Sequence, residues 1–105
     1  MTYSLFLDDE RFPPNDGKNW EIARNFDDVL KLISTFGAPS YISFDHDLGE
    51  DEINGHEIVK KMVEMDMDGM EIFTEDFGFY VHSQNPIGKK NIDELLKNYI
   101  RIKGV

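Results

Sequence analysis

Three short strings constrain this chain more than anything else in it: Leu5-Phe6-Leu7-Asp8-Asp9-Glu10-Arg11, Ile42-Ser43-Phe44-Asp45-His46-Asp47-Leu48 and Val81-His82-Ser83-Gln84-Asn85-Pro86. Each is the end of an apolar stretch that breaks abruptly into groups capable of chemistry. Apolar runs of this length read as buried strands, and open α/β sheets bind ligands outside the carboxyl ends of their strands. Parallel neighbours would gather Asp8, Asp9, Asp45, Asp47, His82 and Ser83 at one edge of one sheet. Carboxylates held so close together call for a cation, so the first reading is a metal-dependent phosphate site.

The intervening segments support a sheet with crossovers. Strands are expected over residues 3–7, 20–23, 41–44 and 77–81. Phe26, Val29, Leu30, Ile33 and Phe36 recur at helical spacing, with Asn25 as N-cap, Asp27 and Asp28 in the first turn, and Gly37 and Pro39 as the stop. Ile58, Val59, Met62 and Val63 mark one face of a second helix, and Ile92, Leu95, Leu96, Tyr99 and Ile100 one face of a third. The segment 12–19 is too rich in turn residues for a helix, and residues 66–76 read as a loop with room for a short strand. Strands alternating with helices give a mainly parallel sheet. The expected fold is a single small doubly wound α/β domain over residues 1–105, with a sheet of about four strands.

Composition narrows the chemistry. Without any Cys, disulfide frameworks and thiolate metal sites are excluded. The formal net charge of −10 argues against direct binding to a nucleic-acid backbone, which needs Lys and Arg to displace counterions. The excess acid reads as solubility, as charge a divalent cation would offset in part, or as mimicry of an anionic polymer. No apolar run reaches the roughly 20 residues of a membrane span and the N-terminus carries no basic-then-apolar leader, so a cytoplasmic location is expected and the oligomeric state is open.

Each candidate site residue has a plainer alternative. Asp8 and Asp9 read as ligands of one ion, or as a turn cap beside a solvated neighbour; Asp45 and Asp47 on another strand end favour the first, and hard oxygen donors suit Mg²⁺ or Mn²⁺. His46 reads equally well as a catalytic group and as a hydrogen-bonded structural one. His82 follows the fourth strand, where an imidazole beside phosphate can act as general acid or base; the alternative is a satisfied strand-end histidine. Asn85-Pro86 reads as N-cap and first helical position, so free backbone N–H groups would face a phosphate, with Ser83, Asn85 and Lys89 beside it. Arg11 either clamps that phosphate or pairs with a carboxylate. Gly88 lets the helix pack closely or a ligand approach. An EF-hand over Asp45–Glu57 fails, because Gly49 and Glu50 occupy its fifth and sixth positions and His56 its twelfth. A phosphate-cradling Gly-rich loop, a Ser-His-Asp triad with a nucleophile turn and zinc spacing are all missing from the sequence.

These residues resemble response-regulator receiver domains: an Asp pair after the first strand, an Asp after the third, Ser83 after the fourth, and Asn54-Gly55-His56-Glu57-Ile58-Val59 opening a helix. The distance from Asp47 to that helix matches receiver spacing better than the distance from Asp45, so the phosphoacceptor register stays open. No room exists between Arg11 and Trp20 for the receiver's first helix, and its fifth strand with the phosphate-reading Lys is expected to be missing. Over nearly the whole chain the sequence is similar to the cyclic-phosphate-processing receiver-like domains of bacteria and phages. The similarity lies in Leu7-Asp8-Asp9-Glu10-Arg11 with Pro13, Phe44-Asp45-His46-Asp47-Leu48, and His82 to Gly88 with Asn91-Ile92. That resemblance implies a truncated receiver (flavodoxin-like) fold and a metal-dependent phosphoesterase opening cyclic phosphates of nucleotides or ADP-ribose derivatives. The expected partner is a small phosphate or nucleotide ligand. The other reading is a non-catalytic receiver-like module: a phosphoacceptor, a nucleotide binder, or a partner-blocking protein that serves a phage against host nucleotide signalling.

Overall fold

The structure, a computed structural model, describes residues 3–103. Four short strands and three helices follow one another as β1 (Ser4–Leu7), β2 (Trp20–Ala23), α1 (Phe26–Phe36), β3 (Tyr41–Phe44), α2 (Gly55–Met65), β4 (Gly78–Val81) and α3 (Pro86–Lys103). All strand pairings are parallel, in the order β2-β1-β3-β4. With β1 inside and the direction of travel reversing after it, this is the flavodoxin-like strand order of a doubly wound sheet. The register aligns the strand ends: Leu7 lies beside Ala23 and Phe44, and Phe44 beside Val81. Asp8, Asp45 and His82, each one residue further on, therefore leave the sheet at the same edge.

Local chemistry sets the helix bounds. Asn25 accepts the Asp28 N–H at 2.9 Å to open α1, and Gly37, at φ 85°, closes it by donating its N–H to the Ile33 carbonyl. Asn54 caps α2 by accepting the Glu57 N–H, and Asn85 caps α3 by accepting the Gly88 N–H, with Pro86 at the first helical position. None of these helices is long and apolar enough to cross a membrane.

Alternation divides each strand between two unlike faces. Leu5, Leu7, Ile42, Phe44 and Val81 join Val29 of α1, Ile58, Val59, Met62 and Val63 of α2, and Ile92 and Leu96 of α3 in one core. The other face carries Ser4, Phe6, Trp20, Ile22, Tyr41, Ser43 and Tyr80 by register, and no helix covers it among the described residues. The one connection that would place a helix there, from β1 to β2, is the turn-rich loop. That loop lies across the face instead: Asp16 accepts the Trp20 indole N–H at 2.9 Å, and the Lys18 ammonium sits 5.2 Å from the Tyr41 ring centroid.

Two expectations are corrected in detail. Residues 66–76 hold no strand: α2 runs into a wide helical turn over Asp66–Met70, which breaks at Gly69 (φ 101°). Ile72 and Phe73 then enter the core fully buried. Their strand-like apolarity is satisfied without a ladder, because Asp66 accepts the Phe73 N–H at 3.0 Å and Lys103 donates to the Phe73 carbonyl at 2.6 Å. The first and fourth strands each begin one residue later than expected, at Ser4 and Gly78.

Candidate functional site

Asp8 is the most tightly held group at the sheet edge. Its side chain is fully buried and accepts four hydrogen bonds: Oδ1 from the backbone N–H groups of Glu10 and Arg11 at 3.0 and 2.9 Å, and Oδ2 from Arg11 Nε at 2.8 Å and His82 Nε2 at 2.9 Å. Burial pushes its pKa up, but those donors together outweigh it and hold the carboxyl below its ordinary value. Arg24, at the end of β2, fastens the turn from outside by donating to the carbonyls of Asp8 and Arg11.

Asp45 differs in kind. It is buried at the end of β3, and its Oδ1 accepts only the His46 N–H at 2.9 Å, with Arg11 Nη2 at 3.7 Å. Burial, followed by the negative charge of Asp8, pushes its pKa up, and the opposing groups do not compensate. The two acids thus hold protons with unlike affinity, a pattern that acid–base sites share.

His82 completes the cluster. Its ring stacks on Phe6 with centroids 4.7 Å apart and planes 4° from parallel. Nε2–H donates to the Asp8 carboxylate, and Nδ1 shares a hydrogen bond with the Ser43 hydroxyl at 2.7 Å. Ser43 of β3, His82 after β4 and Asp8 after β1 form a continuous hydrogen-bonded chain. The sequence reading missed Ser43; its only signal was a hydroxyl within an otherwise apolar strand. Donor atoms of Asp8, Asp45 and His82 lie within 4.8 Å of one another. Two carboxylates are hard donors that suit Mn²⁺ or Mg²⁺ with waters completing the shell, and the imidazole stands beside them. Arg11 bridges the two acids with a side chain that is 44% exposed.

Beside the cluster opens a polar cleft of ≈ 360 Å³ lined by Asp9, Arg11, Asp45, Asp47, Ser83 and Gln84, among others. Asp9 and Asp47 stand at its exposed rim and are not part of the three-residue cluster. Asp47 instead accepts from His46 Nδ1 at 2.9 Å. The His46 ring faces the first turn of α3, where a Cβ on Gly88 would come within 2.3 Å of it, so close helix packing is what Gly88 provides. Ser83 Oγ lines the cleft and accepts the Asn85 N–H at 3.1 Å. Asn85 Oδ1 is committed to its helix, and Lys89 lies away from the cleft, 5.5 Å over the Tyr80 ring. Gln84, not singled out from sequence, lines the cleft.

Gly55 holds the loop below Asp45. Its N–H donates to the His46 carbonyl at 2.7 Å, and a Cβ there would lie 2.0 Å from the Asp45 carbonyl oxygen. Backbone has to move to admit it. Gly55→Ala is expected to cost at least about 1–3 kcal/mol, lowering Tm by roughly 4 °C or more. Thermal melts followed by circular dichroism test this; an unchanged Tm would contradict the contact.

Residues 3–98 match the family described as Cyclic-phosphate processing Receiver domain. A solved chain in which amino acids 181–211 of the yeast Spc42 trimeric coiled coil are fused to another structure superposes with a TM-score of 0.59 at 16% identity, covering 96% of this chain and 73% of that one. At that identity the likeness concerns the fold alone. Comparison with curated proteins finds no match.

Proposed function

The chain belongs to the cyclic-phosphate processing receiver domain family, and from that premise we propose that it is a metal-assisted phosphoesterase that opens a cyclic phosphate of a nucleotide or ADP-ribose derivative. The observation that carries this reading is the convergence of Asp8, Asp45 and His82 within 4.8 Å, at the side of a polar cleft lined by Arg11 and Ser83 as well as by carboxylates. Asp8 and Asp45 would hold Mg²⁺ or Mn²⁺, with Asp9 and Asp47 at the rim; when bound, the ion polarises a phosphate oxygen and acidifies water. Arg11, released from its bridge, would clamp non-bridging oxygens, and Ser83 would present a further donor. His82 carries the proton. With its ring protonated at both nitrogens, His82 would keep Nε2–H on Asp8 and pass its Nδ1 proton to Ser43 as Ser43 gives its own proton to the leaving ribose oxygen, which leaves the ring neutral.

The test is ring opening of 2′,3′-cyclic AMP and of an ADP-ribose cyclic phosphate, followed by ³¹P NMR with Mn²⁺, with Mg²⁺ and with EDTA. Turnover is expected only with metal and is expected to vanish in Asp45→Asn. Absence of opening under every condition would sink the enzyme reading. One observation favours a second reading, a non-catalytic receiver-like binding module: the Arg11 bridge already offsets the repulsion between Asp8 and Asp45. That reading predicts nucleotide binding without turnover and a calorimetric titration with Mn²⁺ that shows no heat.

A further inference from the structure

The helix-free face of the sheet carries Phe6, Trp20, Tyr41 and Tyr80, of which Phe6 is buried, Trp20 and Tyr41 are half-buried and Tyr80 is exposed. A second pocket of ≈ 350 Å³ lies on it, walled by Phe12, Trp20, Tyr41 and Tyr80, with Phe6, Ser43 and His82 among its remaining lining residues. Phe12 is 74% and Tyr80 53% exposed, although each is large enough that exposure wastes about 2 kcal/mol of burial. The volume is that of a small-molecule site rather than a protein interface. Its position is specific. Arg11 lines both this pocket and the polar cleft, and His82 and Ser43, which end the proton chain, open into it. A ligand with its phosphate against Arg11 and its leaving oxygen at Ser43 has its remainder directed over these rings.

We propose that this face is the subsite for the heteroaromatic base of a nucleotide substrate, stacked among Phe12, Trp20, Tyr41 and Tyr80. The assignment rests on the phosphate site described above and adds to it the place where the base of the substrate is held, and with it a requirement for that base. Every nucleobase offers a π-face, so rings without a dedicated hydrogen-bonding frame select for a base without selecting strongly among bases. The rim groups Asp16 and Lys18 are already engaged, by the Trp20 indole and the Tyr41 ring, and hold the walls rather than read base edges.

Trp20 is the single tryptophan of the chain and stands in the pocket wall, so its fluorescence reports occupancy directly. Titration with AMP is expected to quench it, and titration with ribose 5-phosphate to leave it unchanged. Phe12→Ala, at a side chain too exposed to matter for folding, and Tyr80→Ala are each expected to weaken AMP binding about fivefold or more. Equal affinity for AMP and ribose 5-phosphate, or wild-type AMP binding in both variants, overturns the proposal. Two further measurements separate it from the phosphoesterase reading. Quenching by adenosine in a protein that opens no cyclic phosphate supports the base subsite while the enzyme reading falls. Opening of a base-free ribose cyclic phosphate as fast as 2′,3′-cyclic AMP keeps the enzyme reading and removes the subsite.

Discussion

His82→Ala is expected to slow cyclic-phosphate opening by roughly 10²–10⁴-fold, the contribution a positioned acid–base group makes, while Mn²⁺ still binds. The ring is held on three sides, by Phe6 beneath, Ser43 at Nδ1 and Asp8 at Nε2. Its removal costs Asp8 one of four donors, leaving Arg11 and two backbone N–H groups in place. The carboxyl therefore stays ionised and available to an ion. Ser43→Ala is the companion, breaking the proton chain one link further on without touching Asp8. Steady-state rates and Mn²⁺ calorimetry on both variants decide the matter. Loss of metal binding along with activity in His82→Ala would make the imidazole a ligand instead of a proton carrier. Unchanged rates would remove it from the mechanism.

The site was half legible in the sequence, and the division follows from what a pattern encodes. Strand ends are legible because apolar runs stop at them, so Asp8, Asp45 and His82 could be assigned to one edge before any coordinates. The parallel register of β1, β3 and β4 then brings them together. Asp9 and Asp47 are assigned by the same argument to that edge, as further ligands of one ion. They follow the strands, where loop geometry decides direction, and the chain turns both to the exposed rim. The Arg11 bridge depends on a turn held by Arg24 from another strand, which no local pattern announces. The aromatic pocket was hidden for a different reason. Phe6, Trp20, Tyr41 and Tyr80 read as ordinary strand residues, and only the missing helix between β1 and β2 leaves their face open. The wide turn at Asp66 escaped because its partner, Lys103, lies 37 residues away.

That distant pair carries the largest expected effect on stability. Asp66 ends α2 with its side chain 1% exposed and accepts from Lys103 Nζ at 2.7 Å, from the Tyr99 hydroxyl and from the Phe73 N–H, tying the far ends of α2 and α3 to the loop between α2 and β4. Removing the carboxylate takes the acceptor from the Tyr99 hydroxyl and the Phe73 N–H and leaves the Lys103 ammonium, 28% exposed, with the Phe73 carbonyl but no counter-charge. Asp66→Ala is expected to cost about 3 kcal/mol, lowering Tm by roughly 12 °C or more. The pH dependence follows from the same contacts. Burial works against ionisation of Asp66, but Lys103, Tyr99 and the Phe73 amide together hold its pKa below the ordinary value. A lowered folded pKa contributes stability that is complete above the unfolded pKa, near 4, and is lost as pH falls through the folded one. On the alkaline side, burial and Asp66 raise Tyr99 to about 12, so the contribution of that hydroxyl is complete below pH 10 and is lost as pH rises towards 12. Urea unfolding of wild type and Asp66→Asn across pH checks both limbs. The stability difference between them should hold steady at neutral pH and shrink below about pH 4. A difference that stays constant to pH 2 would mean the carboxylate is not what joins the two helices.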